Sequence, residues 1–110
     1  MDEIWKDVAG FEGLYQVSNF GRIKSLARSR KTKGGVLTAV PECIRKPRTD
    51  KDGYKEIALS KGGKLYYFRV HRLVAFAFIP NPHNYSLINH RDENPANNHF
   101  SNLEWCNQSY

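Results

Sequence analysis

The residue types best arranged for chemistry lie between positions 87 and 105. Leu87 and Ile88 are an apolar pair that predicts a short buried strand, and Asn89-His90 ends it. Nine of the next twelve residues, Arg91 to Asn102, are polar or charged, and Pro95 is among the rest. Leu103 and Trp105 then alternate inward around Glu104, which predicts a second short strand. A histidine at a strand end, facing an asparagine-rich loop, is placed for proton transfer more than for core packing. The plainer alternative is a histidine that only caps the loop.

Other polar residues nearby have simpler explanations. Asp92, Asn94 and Asn98 fail the spacing of a calcium loop and lack its closing Glu, so turn formation accounts for them better. His99 stays open as a phosphate contact. Cys43 and Cys106 belong to no Cys-x-x-Cys pair, and both are expected to be small buried residues and not a disulfide or zinc site.

The elements that must position this stretch are mostly strands. Ile4 to Val8 predicts a short strand or extended arm, and Leu14 to Ser18 a strand with Tyr15 and Val17 on one face. Asn19-Phe20-Gly21 is a turn, and Arg22 to Leu26 should return as a hairpin partner with one basic face. Arg28 to Lys33, followed by two glycines, has no periodicity and is expected to be a mobile basic loop. Val36 to Val40 suggests a short strand, and Pro41 and Pro47 restrain an extended basic path. Tyr54 to Leu59 alternates, with Ile57 and Leu59 on one face. Residues 60–64 should close a hairpin onto Leu65 to Val70, whose aromatic residues Tyr66, Tyr67 and Phe68 read as core. Leu73, Val74, Ala77 and Phe78 recur at helical spacing, so His71 to Phe78 predicts a short buried helix ending before Pro80. His71, at its start, reads as a satisfied structural residue, and His83 as exposed.

The 110 residues support a modest core, and a 40% hydrophobic content with 13% aromatics excludes a disordered chain. There is no apolar run of eighteen and no basic-then-apolar leader, so the expectation is a soluble, cytoplasmic protein without membrane association. The net charge of +6 is unevenly placed. Residues 21–72 hold fifteen Lys or Arg against four acids, net +11, whereas residues 1–20 and 73–110 are net −3 and −2. A solvated face normally mixes both signs, so this middle segment points to nucleic-acid contact. The candidates for phosphate contact are Arg22, Lys24, Arg28, Arg30, Lys31, Lys33, Arg45, Lys46 and Arg48. For Arg22 and Lys24 a solvated strand face is the plainer alternative.

Two stretches carry a family resemblance. His90, Asn102 and the run Asn102-Leu103-Glu104-Trp105 resemble the ββα-metal (His-Asn-His, HNH) nuclease motif of phage and intron homing endonucleases. Val70-His71-Arg72-Leu73-Val74-Ala75, Phe78-Ile79-Pro80-Asn81-Pro82, Asn89-His90 and Asn97-Asn98 extend the likeness over residues 70–110. Trp5-Lys6, Gly10-Phe11-Glu12, Tyr15 to Asn19 and Gly21 to Ser25 resemble the small module often found ahead of such nucleases. The resemblance implies an α+β fold, with antiparallel β-hairpins and a short helix followed by the nuclease motif. It divides the chain into a basic DNA-binding β module, 1–69, and a nuclease motif, 70–110.

What the resemblance implies chemically is a phage-encoded endonuclease or nickase, monomeric, acting on double-stranded DNA with one divalent cation, Mg²⁺ or Mn²⁺. His90 would be the general base. Asn102 would tie the loop together and brace the histidine, and Asn89 would ligate the metal ion. The family's last motif residue, His or Asn, would fall about one position beyond Tyr110, on a helix capped by Asn107, so the motif is expected to be incomplete at its C-terminal end. The competing function is a DNA-binding module without catalysis.

Overall fold

The computed structural model describes residues 2–107, apart from the side chain of Arg30. The fold is α+β, antiparallel throughout. Strands β1 (Trp5–Asp7), β2 (Tyr15–Ser18) and β3 (Ile23–Ser25) form consecutive hairpins. The chain then leaves this sheet for β4 (Arg28–Lys31) and β5 (Leu37–Val40), a two-stranded hairpin, and returns as β6 (Cys43–Arg45) on the edge of β3. A second sheet contains β7 (Arg48–Thr49), β8 (Lys55–Lys61) and β9 (Lys64–Arg69). Helix α1 (Val70–Phe78) follows directly, and the hairpin of β10 (Leu87–His90) and β11 (Leu103–Cys106) ends the described chain, with a 3-10 turn at Phe100–Asn102 leading into β11.

One apolar core joins β2, β3, β8, α1 and β11. Val17, Ile23, Leu59, Val70 and Val74 are completely buried, and Leu103 of the last hairpin belongs to the same cluster. Each such side chain contributes roughly 1.5–3 kcal/mol when removed from water. The expected faces are confirmed for Tyr15 with Val17 and for Ile57 with Leu59. The Tyr15 hydroxyl also accepts from the Ser60 backbone N–H at 3.1 Å, tying β2 to β8. Helix α1 has no side-chain N-cap and no acidic residue in its first turn. A nine-residue helix with no such help depends on packing. Its C-terminal end is fastened to β11 by the Trp105 indole N–H, which donates to Ile79 O at 3.1 Å.

Several expectations are corrected. The basic stretch from Arg28 is not an irregular loop: it is strand β4, paired with β5 in register Arg28↔Val40 to Lys31↔Leu37. Gly35, at φ +80°, provides the left-handed residue that closes the turn. The hairpin of β8 and β9 turns on Gly62-Gly63 alone, both at positive φ, so Ser60, Lys61 and Lys64 lie in the strands. Tyr66 and Tyr67 are 42% and 63% exposed and are not core. Tyr67 pairs with Ala58 and is largely in solvent, while Tyr66, near the hairpin tip, makes an edge-to-face contact with Phe11. Cys43 and Leu87 are also exposed. Among the described residues no helix is long and apolar enough to cross a membrane.

Candidate active site

The β10–β11 hairpin sets the site by register: Asn89 lies across from Glu104, and His90 across from Leu103. Leu103 is buried in the core, so His90, its partner at the strand end, is drawn inward to 7% exposure. The loop between them is held by its own polar groups. Asn102 accepts from the Asp92 N–H at 3.0 Å and donates through Nδ2 to Asp92 Oδ1 and to Asn97 O, each at 2.9 Å. The Arg91 N–H donates to Asn102 O at 2.7 Å. Asp92 also accepts from the Asn94 N–H and from Asn97 Nδ2, each at 2.8 Å. These donors, the Asn97 amide foremost, hold the Asp92 carboxyl below the usual carboxylate range. The Asn102 side chain therefore bonds to two other parts of its own loop.

His90 Nε2 meets Asn98 Oδ1 at 2.9 Å, and both residues are buried. With that oxygen accepting, Nε2 carries the ring hydrogen and Nδ1 keeps its lone pair. His90 shares a cleft of about 550 Å³ with Tyr54, Arg69, His71, Arg72 and Asn89. The His71 and His90 ring centroids are 5.1 Å apart, edge to face, and Tyr54 lies within 6 Å of both (5.7 Å and 5.9 Å).

His71 is the main surprise. It was expected to be a satisfied structural histidine, yet its Nδ1 is buried without a hydrogen-bond partner among the described residues. Burial pushes its pKa down to about 4, with the nearby His90, Arg72 and Arg69 adding to the shift, so it is neutral at pH 7. Tyr54, Arg69, Arg72 and Asn98 were not picked out as site residues. The pair of arginines flanking His71 was the one available signal, because α1 starts at Val70 and turns this cluster toward the last hairpin.

Asn89 donates through Nδ2 to Glu104 Oε1 at 2.9 Å, and Glu104 is paired in turn with Arg91 at 3.3 Å. This orients the amide so that its carbonyl oxygen is the atom left for a cation, a donor that suits Mg²⁺ or Mn²⁺. Among the described residues no three His, Cys, Asp or Glu side chains converge as a metal-holding cluster. A cation here would rest on Asn89, water and a substrate phosphate. The helix expected after Asn107, and its last motif residue, lie outside the described residues. His99 serves as a cap: its Nδ1 accepts from the Ser101 N–H at 3.2 Å.

Eight of the nine cationic candidates separate into two groups. Arg22 forms a bidentate pair with Glu3, and Lys24 sits 4.1 Å from the Trp5 ring centroid. Arg28 turns inward and donates to Leu14 O at 2.7 Å and to Ser25 Oγ at 2.9 Å. Arg45 donates to Ala58 O at 3.2 Å, and Arg48 pairs with Glu56. Lys31, Lys33 and Lys46 are exposed and have no ion-pair partner among the described residues. The Arg30 side chain lies outside the described structure.

Comparisons with known proteins agree with this architecture. The NUMOD4 motif family matches residues 3–60. The chain is 42% identical over 104 residues to DNA endonuclease I-HmuI of Bacillus phage SP01, covering 94% of this chain and 52% of that protein. An uncharacterised HNH endonuclease of Acanthamoeba polyphaga mimivirus is 46% identical over 106 residues, 96% of this chain and 28% of the relative. A solved structure describing DNA binding and cleavage by the HNH homing endonuclease I-HmuI superposes with a TM-score of 0.71 at 40% identity, over 94% of this chain and 52% of that one. The chain thus spans about half the length of I-HmuI and less of the mimivirus protein.

Proposed function

Since the chain belongs to the NUMOD4 motif family and shares its fold with an HNH homing endonuclease, we propose that it is the binding and cutting portion of a metal-dependent DNA endonuclease or nickase. Residues 1–69 hold double-stranded DNA, and residues 70–110 carry phosphodiester hydrolysis. The observation that carries this reading is the buried His90–Asn98 pair at the edge of a cleft that also holds Arg69 and Arg72.

His90 is the general base. Its Nε2–H is committed to Asn98, so Nδ1 is the atom that takes the proton of the attacking water. Asn102 is a positioning residue, since it touches the loop backbone and Asp92 and none of the reacting atoms. Asn89 is the side chain that would ligate Mg²⁺ or Mn²⁺. Such a cation, when bound, stabilises the charge that builds on the phosphate and the leaving oxygen. Arg69 is held by Asp50 at 2.7 Å and Arg72 by Ser86 O at 3.2 Å, so each brings positive charge to the cleft on a fixed stem. Lys31, Lys33 and Lys46 supply phosphate contacts outside it.

The test is nicking of supercoiled plasmid by this chain with Mg²⁺, Mn²⁺ or EDTA, beside His90→Ala. Metal-dependent nicking that His90→Ala removes, with DNA affinity within a few fold, is the expected result. Salt-sensitive DNA binding with no nicking under any metal would overturn the enzymatic reading in favour of a non-catalytic DNA-binding module.

A further inference from the structure

The turn Asn19-Phe20-Gly21 belongs to the segment matched by NUMOD4, yet it packs on the loop that holds His90. Three contacts join them. The Phe100 N–H donates to Asn19 O at 2.9 Å. The Phe20 ring stacks on His99 with centroids 5.2 Å apart. Gly21, at φ +89°, lies so close to Asn98 that a Cβ there would be 2.8 Å from Asn98 O and 2.9 Å from Asn98 Cβ. No side chain other than hydrogen fits at that separation while Asn98 keeps its place.

The turn is itself held from behind. Asn19 is 3% exposed, its Oδ1 accepts from the Ile4 N–H at 2.8 Å, and its own N–H donates to Ile4 O at 3.1 Å. Ser18 Oγ accepts from the N–H groups of Phe20 and Arg22, each at 3.1 Å. A turn fixed on one side by β1 and β2 therefore presses on Asn98, whose amide oxygen fixes the His90 ring.

We propose that the Asn19–Gly21 turn is a positioning element for the base: Gly21 sets where the Asn98 backbone sits, and Asn98 thereby selects the His90 tautomer. The N-terminal module then acts on the chemical step as well as on DNA affinity. The rate consequence rests on His90 being the general base, whereas the tautomer consequence does not.

The experiment is ¹⁵N NMR of the histidine rings in the full 110-residue chain, at a pH where they are neutral, paired with nicking kinetics. The parent chain should show His90 as the Nε2–H form alone. Gly21→Ala should give a mixture of the two tautomers and lower kcat about 10–100-fold, the usual range for a group that orients a functional residue through another. DNA affinity should stay within about threefold, as expected where only the orientation of the base is disturbed. Asn98→Ala should reproduce the mixture, and Asn98→Asp, which keeps the acceptor, should restore the Nε2–H form. If Gly21→Ala does not fold, Phe20→Ala reads the same coupling through the lost stack on His99. A folded Gly21→Ala or Phe20→Ala with an unchanged His90 tautomer overturns the proposal. Tautomer coupling in a chain that never nicks DNA supports the brace and overturns only the nuclease reading.

Discussion

The loop at 91–102 and the hairpin of β4 and β5 are both rich in polar residues, and they use them in opposite ways. In the loop, Asp92, Asn94, Asn97 and Asn102 bond to one another and to nearby backbone, so their side chains close a fixed frame behind His90. In the hairpin, β4 and β5 pair with each other and, among the described residues, with no other strand, and Lys31 and Lys33 are exposed. A frame of satisfied hydrogen bonds gives precision, and unsatisfied charge on an exposed ribbon gives capacity to bind a polyanion. Polarity alone distinguishes neither; what separates them is whether each polar group finds its partner inside the chain.

The sharpest way to break the comparison is at the residue that the frame serves. His90→Ala should lower the nicking rate by about 10²–10⁴-fold, the usual contribution of a positioned base, with DNA affinity nearly unchanged in a gel-shift titration. Parallel loss of both would show that the loop binds DNA more than it positions a base. Next, Asn102→Ala removes a buried side chain and its hydrogen bonds to the part-buried Asp92 N–H, Asp92 Oδ1 and Asn97 O. It should cost about 2 kcal/mol in urea unfolding. A change below about 0.5 kcal/mol, the level of an ordinary surface substitution, would mean the loop does not depend on it.

Arg28 tests an inward-turned cation of the hairpin. Arg28→Ala removes hydrogen bonds to Leu14 O and Ser25 Oγ and a contact 4.8 Å from the Tyr15 ring centroid. It should destabilise the chain by about 1–2 kcal/mol. His71 adds a pH dependence. Its folded pKa near 4 lies below the ordinary 6.5, so between those values the unfolded chain binds a proton that the folded chain refuses. Stability from this group is complete above about pH 6.5 and is lost as pH falls toward 4. His71→Gln should therefore narrow the difference between urea midpoints at pH 7 and pH 4.5; an unchanged difference would assign the acid sensitivity elsewhere. Smallest in stability is Lys31→Ala with Lys33→Ala, expected within about 0.5 kcal/mol of the parent. The same pair should reduce the salt slope of DNA binding by roughly 0.9 per lysine, and an unchanged slope would remove the hairpin from the interface.

Much of the site was legible because its cues are local. His90 at a strand end, the turn-forming loop after it and the alternation of Leu103 with Trp105 all lie within one hairpin. The aromatic run in β9 misled, because alternation says which residues share a face but not whether anything covers that face; Tyr67 is 63% exposed for that reason. The basic stretch from Arg28 misled differently. It lacks hydrophobic periodicity, since the inward position at its start is taken by Arg28 and no apolar residue of β4 marks a buried side.

The sequence by itself determined the β2–β3 and β8–β9 hairpins, the helix after β9, the strand–loop–strand setting of His90 and the concentration of positive charge in the middle of the chain. These follow from periodicity, turn residues and composition, which act over a few residues. Only the tertiary structure decided which cations are bound internally, that His71 Nδ1 is buried beside His90 without a hydrogen-bond partner among the described residues, and that Gly21 presses on Asn98. Each of those is a contact between segments far apart in the chain, set by how separate sheets pack around one shared core, and no local pattern of residues specifies it.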